Sequence, residues 1–421
     1  MNYYNTISPY YIDRLRRDFN RYKVKIELLT ADEAVIGEVI ADLSITAQGQ
    51  ITINRQQLTR RSCSLTLINV GGRYNPNRNR WFWINRKFKL WIGMMTEGYT
   101  DATAKQNTAD IYWFSQGVYY ATSVKGDTHT ISIEGIDKGG ALDGTLKLNM
   151  LGEKTIVKQG SKLSSLFRET LLLSDGISVI DPTPPLIDSY FDSVIIQQDI
   201  ELNDNQYIGE LFSQVAESYG ANVYYDRDGR LRVERSMTEN GFSLYSLKGI
   251  AYRFSTNDAE YEEATIDYGY ECKNTVTVYT NINAKDNTGK DIENVSYTAY
   301  NQSPLSPINI KEIGIRRMDA IEAKYIDGLT AKEMTDRCRQ TANYYLLNES
   351  LIMLTENFNS FIIPHIDVDE VILINDPYKD IDNEKFVVQS VSIPLSAGAM
   401  SIEATNLNYL PGDIDIEKEM I

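Results

Sequence analysis

Between Tyr22 and Asp137, apolar and polar residues alternate over successive segments, a period that only a pleated sheet with one buried face satisfies. "YKVKIELL" sets the pattern and "AVIGEVIADLSITAQGQITI" carries it through a glycine-containing turn. "SCSLTLIN" puts Cys63, Leu65 and Leu67 on one face, so Cys63 reads as a core residue rather than a nucleophile. "KFKLWIGMM", "DIYWFSQGVYYATSV" and "THTISIEGID" bring the expectation to about six or seven strands by residue 137. Such a unit is a sandwich or a barrel. The tyrosine content of 28 against 11 prolines suits sheets carrying large amphipathic side chains.

A helical period replaces the alternation after residue 160. Leu163, Leu166, Phe167 and Leu171 share one stripe, and Ile208, Leu211, Phe212, Val215 and Tyr219 form a second, with Gly220 at the helix exit. Proline-broken "DPTPPLIDSYFD" lies between them, and "NVYYDRDGRLRVE" follows as a hairpin turning at Asp228-Gly229. From residue 262 strands return, with "NAKDNTGKDIENVSYTAYNQSPLSP" as a long loop or extended hairpin. Thr330 and Glu333 make a capping box, after which Met334, Cys338, Thr341, Tyr345 and Leu346 follow one helix face. "ESLIMLTENF", "DEVILIND", "EKFVVQSVSIPL" and "AMSIEATNL" predict four closing strands before the acidic "GDIDIEKEMI". The fold class is therefore β-dominated α+β and multidomain. Its expected parts are an N-terminal arm (1–22), a first β domain (23–150), a small α/β domain (151–247), and a second strand-rich domain (248–421) with one long helix (330–349) and an acidic tail.

Recognisable reaction chemistry is scarce. The two histidines, His129 and His365, have no sequence neighbours that build a triad or a multi-histidine metal site. His129 is expected on a strand surface; Asp367, Asp369 and Glu370 after His365 read as a solvated turn rather than a cation site. "DRDG" lacks the distal glutamate of a calcium loop, and the phosphate-loop, dinucleotide and nucleophile-elbow patterns do not occur. Cys63, Cys272 and Cys338 show no C-x-x-C spacing and no paired pattern, so neither structural zinc nor a disulfide scaffold is expected. With no signal-like or membrane-length apolar run, synthesis is expected in the cytoplasm without membrane insertion, and no cofactor is expected.

Formal charge is -16, which opposes general nucleic-acid binding. One band departs from it. Leu43 to Thr96 contains no acid but nine bases: Arg55, Arg60, Arg61, Arg73, Arg78, Arg80, Arg86, Lys87 and Lys89. Interleaved with Trp81, Phe82, Trp83 and Trp91, they could stack on nucleic acid, cover a sheet edge with their stems, or meet an acidic partner. A protein interface ranks first, a solvated face second and nucleic acid third.

The order of pieces resembles a known family. "VKIELL" through "RRSCSLTLIN", then "GGRYNPNRNRWFWINRKFKLWIGM", "FSQGVYYATSVKG" and "ISIEGIDKGGALDGTL" resemble the opening of bacteriophage tail baseplate hub proteins. "IGELFSQVAESYGANVYYDRDGRLRVE" is similar to the family's small α/β portion; "ECKNTVTVYTNI", the helix near 330–349 and the stretch from "FIIPHIDVDEVILIN" to "MSIEATN" resemble its closing part. The resemblance implies two tube-like antiparallel β-barrel or sandwich domains flanking the α/β domain. It also implies a non-enzymatic homotrimer that joins a sixfold tail tube to a threefold spike and lines the DNA channel of the virion. Implied partners are further copies of the chain, the tail tube or distal tail protein, the spike or tip protein, the tape measure protein and baseplate wedge proteins, with DNA only in transit. Acidic channel walls that do not grip phosphate fit this picture. Two alternatives stand beside it: a carboxylate-dependent cell-wall glycan hydrolase, and a carbohydrate- or receptor-binding tail component.

Overall fold

The computed structural model describes residues 9–407, apart from 17–19, 43–46, 56–57, 96–110, 147–155, 173–179, 197–198, 202–206, 239–242, 256–261, 269–271, 281–289, 291–294, 305, 324–329, 352–353 and 397. The acidic segment 411–421 lies outside the described residues.

Seven strands form in the alternating segments: β1 (Tyr22–Leu29), β2 (Val35–Asp42), β3 (Ala47–Asn54), β4 (Arg61–Ile68), β5 (Lys87–Met95), β6 (Ile111–Gly126) and β7 (Thr130–Asp137); Gly37 and Gly49 lie within β2 and β3, which corrects the expected glycine-containing turn. On β4, Arg61, Cys63, Leu65 and Leu67 point inward while Ser62, Ser64 and Ile68 face out, as a period of two requires. Ahead of β1, the short helix α1 (Pro9–Leu15) buries Tyr11 and Leu15 in the core. The sequence there reads as a polar arm; its two buried side chains correct that reading.

The α/β part follows. It holds α2 (Gly139–Leu142), β8 (Ile156–Val157), α3 (Leu163–Leu171), β9 (Leu186–Ile187), β10 (Ile200–Glu201), α4 (Ile208–Glu217), β11 (Ala221–Tyr225) and β12 (Leu231–Arg235). The predicted apolar stripes of α3 and α4 pack with β11 and β12 into one core, where the Phe167 and Phe212 rings meet edge to face at 4.9 Å. Gly220 leaves α4 at φ 64° and Gly229 turns the β11–β12 hairpin at φ 76°, a region that disfavours side chains. A Cβ on Gly229 would also stand 2.5 Å from Val118 of β6, so the hairpin tip sits directly on the first sheet.

The remaining elements are β13 (Ile250–Ser255), β14 (Glu262–Tyr268), β15 (Thr275–Tyr279), β16 (Ser296–Tyr300), α5 (Ile310–Ile313), β17 (Ile321–Glu322), α6 (Ala331–Leu351), β18 (Leu354–Ser360), β19 (Val371–Asp376), β20 (Ile381–Pro394) and β21 (Met400–Asn406). The capping box forms at α6, with Glu333 Oε2 accepting from the Thr330 amide at 2.8 Å and Thr330 Oγ1 accepting from the Glu333 amide at 3.3 Å. Met334, Cys338 and Leu346 then pack on β15 and β16, an antiparallel pair of the extended-hairpin kind. "ESLIM", read as the start of a strand, belongs in part to this helix, which runs to Leu351.

The strand-rich halves meet directly. β3 pairs with β20, Asn54 opposite Ser390 and Gln50 opposite Pro394, so a single thirteen-stranded sheet runs β14-β18-β21-β20-β3-β4-β7-β6-β5-β1-β2, with β13 and β19 branching from β20. Pairing does not close into a ring among the described residues. One apolar core serves both halves and gathers Val24, Ile51, Leu90, Phe254, Val391 and Ile402. No described helix is long and apolar enough to cross a membrane.

Candidate functional site: a buried charged junction and an exposed basic lobe

The nine bases divide by position. Arg55, Arg60, Arg61 and Lys87 are 7%, 4%, 1% and 7% exposed, so they offer almost no surface to another molecule. An outward-facing role for these four is corrected by their burial inside the chain. Arg73, Arg78, Arg80 and Arg86 are exposed and Lys89 is half-buried.

The loop between β18 and β19 supplies the counter-charges. Asp369 Oδ1 accepts from Arg55 Nε at 2.6 Å and from the Tyr245 hydroxyl at 2.8 Å, while its Oδ2 accepts from Arg60 Nη1 at 2.6 Å. Asp367 pairs with Arg61 and, at 3.4 Å, with Arg227 from the tip of the β11–β12 hairpin. Three separate regions of the chain thus converge on "IDVDE". Burial would raise both carboxyls, but Arg60 and Arg55 hold Asp369, and Arg61 and Arg227 hold Asp367, below the usual carboxylate range. Glu370 behaves oppositely: burial pushes it up to about 7 against the pull of Arg227. Asp369 sits at φ 64°, an uncommon backbone conformation for a non-glycine residue.

This geometry corrects the solvated-turn reading. The acids at 367 and 369 answer arginines, and among the described residues no group of three or more His, Cys, Asp or Glu is placed to hold a metal ion. His365 is buried, 3.0 Å from the Tyr11 hydroxyl and 3.2 Å from the Ala251 carbonyl, and burial lowers its ring to about 3. His129 lies in the exposed turn between β6 and β7 rather than on a strand. A cavity of 530 Å³ opens beside the junction, lined among others by Arg60, Arg232, Lys248, Asp226, Glu234 and Glu370. Its wall charges are mixed in sign.

A second junction ties the α/β part to the first sheet. Lys138 Nζ lies 2.6 Å from both Glu33 and Asp181, Lys87 Nζ lies 3.0 Å from Glu33, and the Tyr225 hydroxyl donates to Asp181 at 2.8 Å. Burial works against the Glu33 carboxylate, but Lys138 and Lys87 outweigh it and lower its pKa.

The exposed bases crowd the connection between β4 and β5. Asn69 Nδ2 donates to Asn75 Oδ1 at 2.6 Å and to the Asp127 carbonyl at 2.9 Å, folding residues 69–86 back onto the β6–β7 turn. Phe82 is the buried anchor of this lobe, packed on Tyr74. Arg80 and Arg86 both approach the Trp81 ring, at 4.9 and 5.3 Å, and Arg78 donates to the Gly71 carbonyl at 2.6 Å. Among the described residues no carboxylate lies within 4.0 Å of the Arg73, Arg78, Arg80 or Arg86 guanidinium. Val70, Trp83 and Ile84 of the same stretch are exposed at 75%, 48% and 51%. Lys89 instead reaches Asp228 at 3.4 Å, and the Trp91 indole donates to Glu27 at 2.8 Å.

No protein-family model matches this sequence, and no curated protein sequence matches it. The fold is nevertheless similar to that of solved phage tail proteins. A tail protein from Neisseria meningitidis MC58 shares it at 12% identity and a TM-score of 0.56, over 93% of this chain and 98% of that one. The 43 kDa tail protein of prophage MuSo2 from Shewanella oneidensis does so at 13% identity and 0.54, over 92% and 99%. A lidless PdpA-VgrG complex is similar at 10% identity and 0.50, over 93% of this chain and 65% of the matched one. At these identities the likeness is one of fold.

Proposed function

We propose that this chain is a structural hub of a phage tail baseplate, a non-enzymatic homotrimer that joins a sixfold tail tube to a threefold spike or tip and lines the channel through which DNA passes. The carrying observation is that its fold matches two phage tail proteins over almost the full length of both partners, 93% and 98% in one case and 92% and 99% in the other. On this reading the two strand-rich halves of the continuous sheet act as two wall modules per chain, so that three chains supply six.

In this role the chain contacts copies of itself, the tail tube or distal tail protein above, the spike or tip below, and the tape measure and baseplate wedge proteins around it. It resides in the virion baseplate after synthesis in the host cytoplasm. Mixing the 47.9 kDa chain with the tube and spike proteins of the same virion, followed by single-particle mass measurement, tests the role. Particles holding three copies and bridging both partners are expected. A chain that stays monomeric and binds neither partner overturns the proposal.

A further inference from the structure

The lobe at residues 69–86 presents a combination that folded surfaces seldom leave open. Four guanidiniums without a carboxylate within reach among the described residues share this stretch with three exposed apolar side chains, Val70, Trp83 and Ile84. Three of the four lie over aromatic rings, Arg73 over Tyr74 at 4.3 Å and Arg80 and Arg86 over Trp81. A guanidinium stacked on an aromatic face keeps the edge of its fork free for a carboxylate, and little rotamer freedom remains to be lost on binding.

The ligand chemistry this surface selects is an acidic strand with alternating apolar residues. The chain carries one: Asp413-Ile414-Asp415-Ile416-Glu417 in "PGDIDIEKEMI". Extended, it would put the three carboxylates on one side about 6.6 Å apart and the two isoleucines on the other. Carboxylates would then face the arginines while isoleucines cover Trp83 and Ile84. Residues 411–421 contain four acids and one lysine, whereas the sequence from Leu43 to Thr96 contains no acid, so the two most biased segments of the chain are opposite in sign.

We infer that the 69–86 lobe is the docking site for the acidic segment 411–421 of this chain, taken from the same or a neighbouring copy. The inference goes beyond the hub role and does not depend on it, since the docking can be read on the isolated chain.

A full-length chain with Asp413→Asn, Asp415→Asn and Glu417→Gln has a neutralised segment of its own and leaves the lobe unoccupied. Fluorescence anisotropy of a labelled peptide with the sequence of residues 411–421 should show saturable binding to this chain. Adding Arg78→Ser and Arg80→Ser should weaken binding roughly tenfold or more, and Trp83→Ala should weaken it separately. These side chains are exposed, so circular dichroism and the thermal midpoint should stay unchanged. A scrambled peptide of equal charge should bind more weakly, and the unsubstituted chain should bind the added peptide less tightly because its own segment competes. Absence of saturable binding, indifference to the lobe substitutions, equal binding of the scrambled peptide, or preference of the same arginines for a DNA oligonucleotide would each overturn the assignment.

Discussion

Arg55 Nε lies 2.6 Å from Asp369 Oδ1 although 314 residues separate the two in sequence. Arg60 holds the other oxygen of the same carboxylate at the same distance, so one buried acid answers two buried guanidiniums. Asp369→Ala leaves both cations without their shared counter-ion inside the protein. The expected loss is about 3–5 kcal/mol, the range for breaking one side of a buried ion pair, measured as a lower urea midpoint.

The junction also sets how stability changes in acid. Asp367 and Asp369 have depressed pKa values in the folded chain, because the arginines outweigh burial, so their contribution is complete above the unfolded value of about 4 and drains as pH falls toward the folded one. The urea midpoint should therefore drop steeply below about pH 4, and the drop should be shallower in Asp369→Asn.

Glu370 has the opposite sign. Burial raises it to about 7, so its contribution is full below about pH 4.5 and is lost as pH rises through 7. Glu370→Gln keeps an oxygen to accept from the Asp367 amide, which Glu370 does at 3.1 Å. The substitution should stabilise the chain by about 3 kcal/mol at pH 8 and by little at pH 4. Equal effects at both pH values would contradict the assigned shift.

Charge reversal should separate the two halves of the basic band. Arg60→Glu or Arg61→Glu puts a carboxylate beside Asp369 or Asp367 in the interior and is expected to prevent folding. Arg78→Glu and Arg80→Glu act on exposed side chains and should change stability by no more than about 0.5 kcal/mol. Far-ultraviolet circular dichroism of the purified variants distinguishes these outcomes.

Tyr11 ties α1 to the second half of the sheet. Its ring lies 4.8 Å from Phe114 and its hydroxyl 3.0 Å from His365 Nδ1. Tyr11→Ala should cost about 3–5 kcal/mol through the cavity and the lost hydrogen bond. Tyr11→Phe should cost about 1 kcal/mol, both read from denaturant midpoints.

The local periods were legible in the sequence: the strands of the first unit, the stripes of α3 and α4, the Asp228-Gly229 turn and the capping box of α6. Each rests on residues a few positions apart, where a period of 2 or 3.6 is visible. The β3–β20 pairing was not legible, because it joins Asn54 to Ser390 and strand register across such a separation leaves no local trace. For the same reason Asp367 and Asp369 looked solvated. Their own neighbourhood shows acids, and the arginines that neutralise them arrive from β3, β4 and the β11–β12 hairpin. The apolar flanks of "IPHIDVDEVILI" were the one available signal that the turn is buried. Tyr11 hid similarly, since a seven-residue helix with two inward residues resembles a polar arm.

The hub role is tested most directly by electron microscopy of the purified chain, alone and with the tail-tube protein, with class averages computed without imposed symmetry. A threefold ring with an open centre, formed by the chain alone or on the end of the tube, is the predicted result. Compact single copies under both conditions would contradict it.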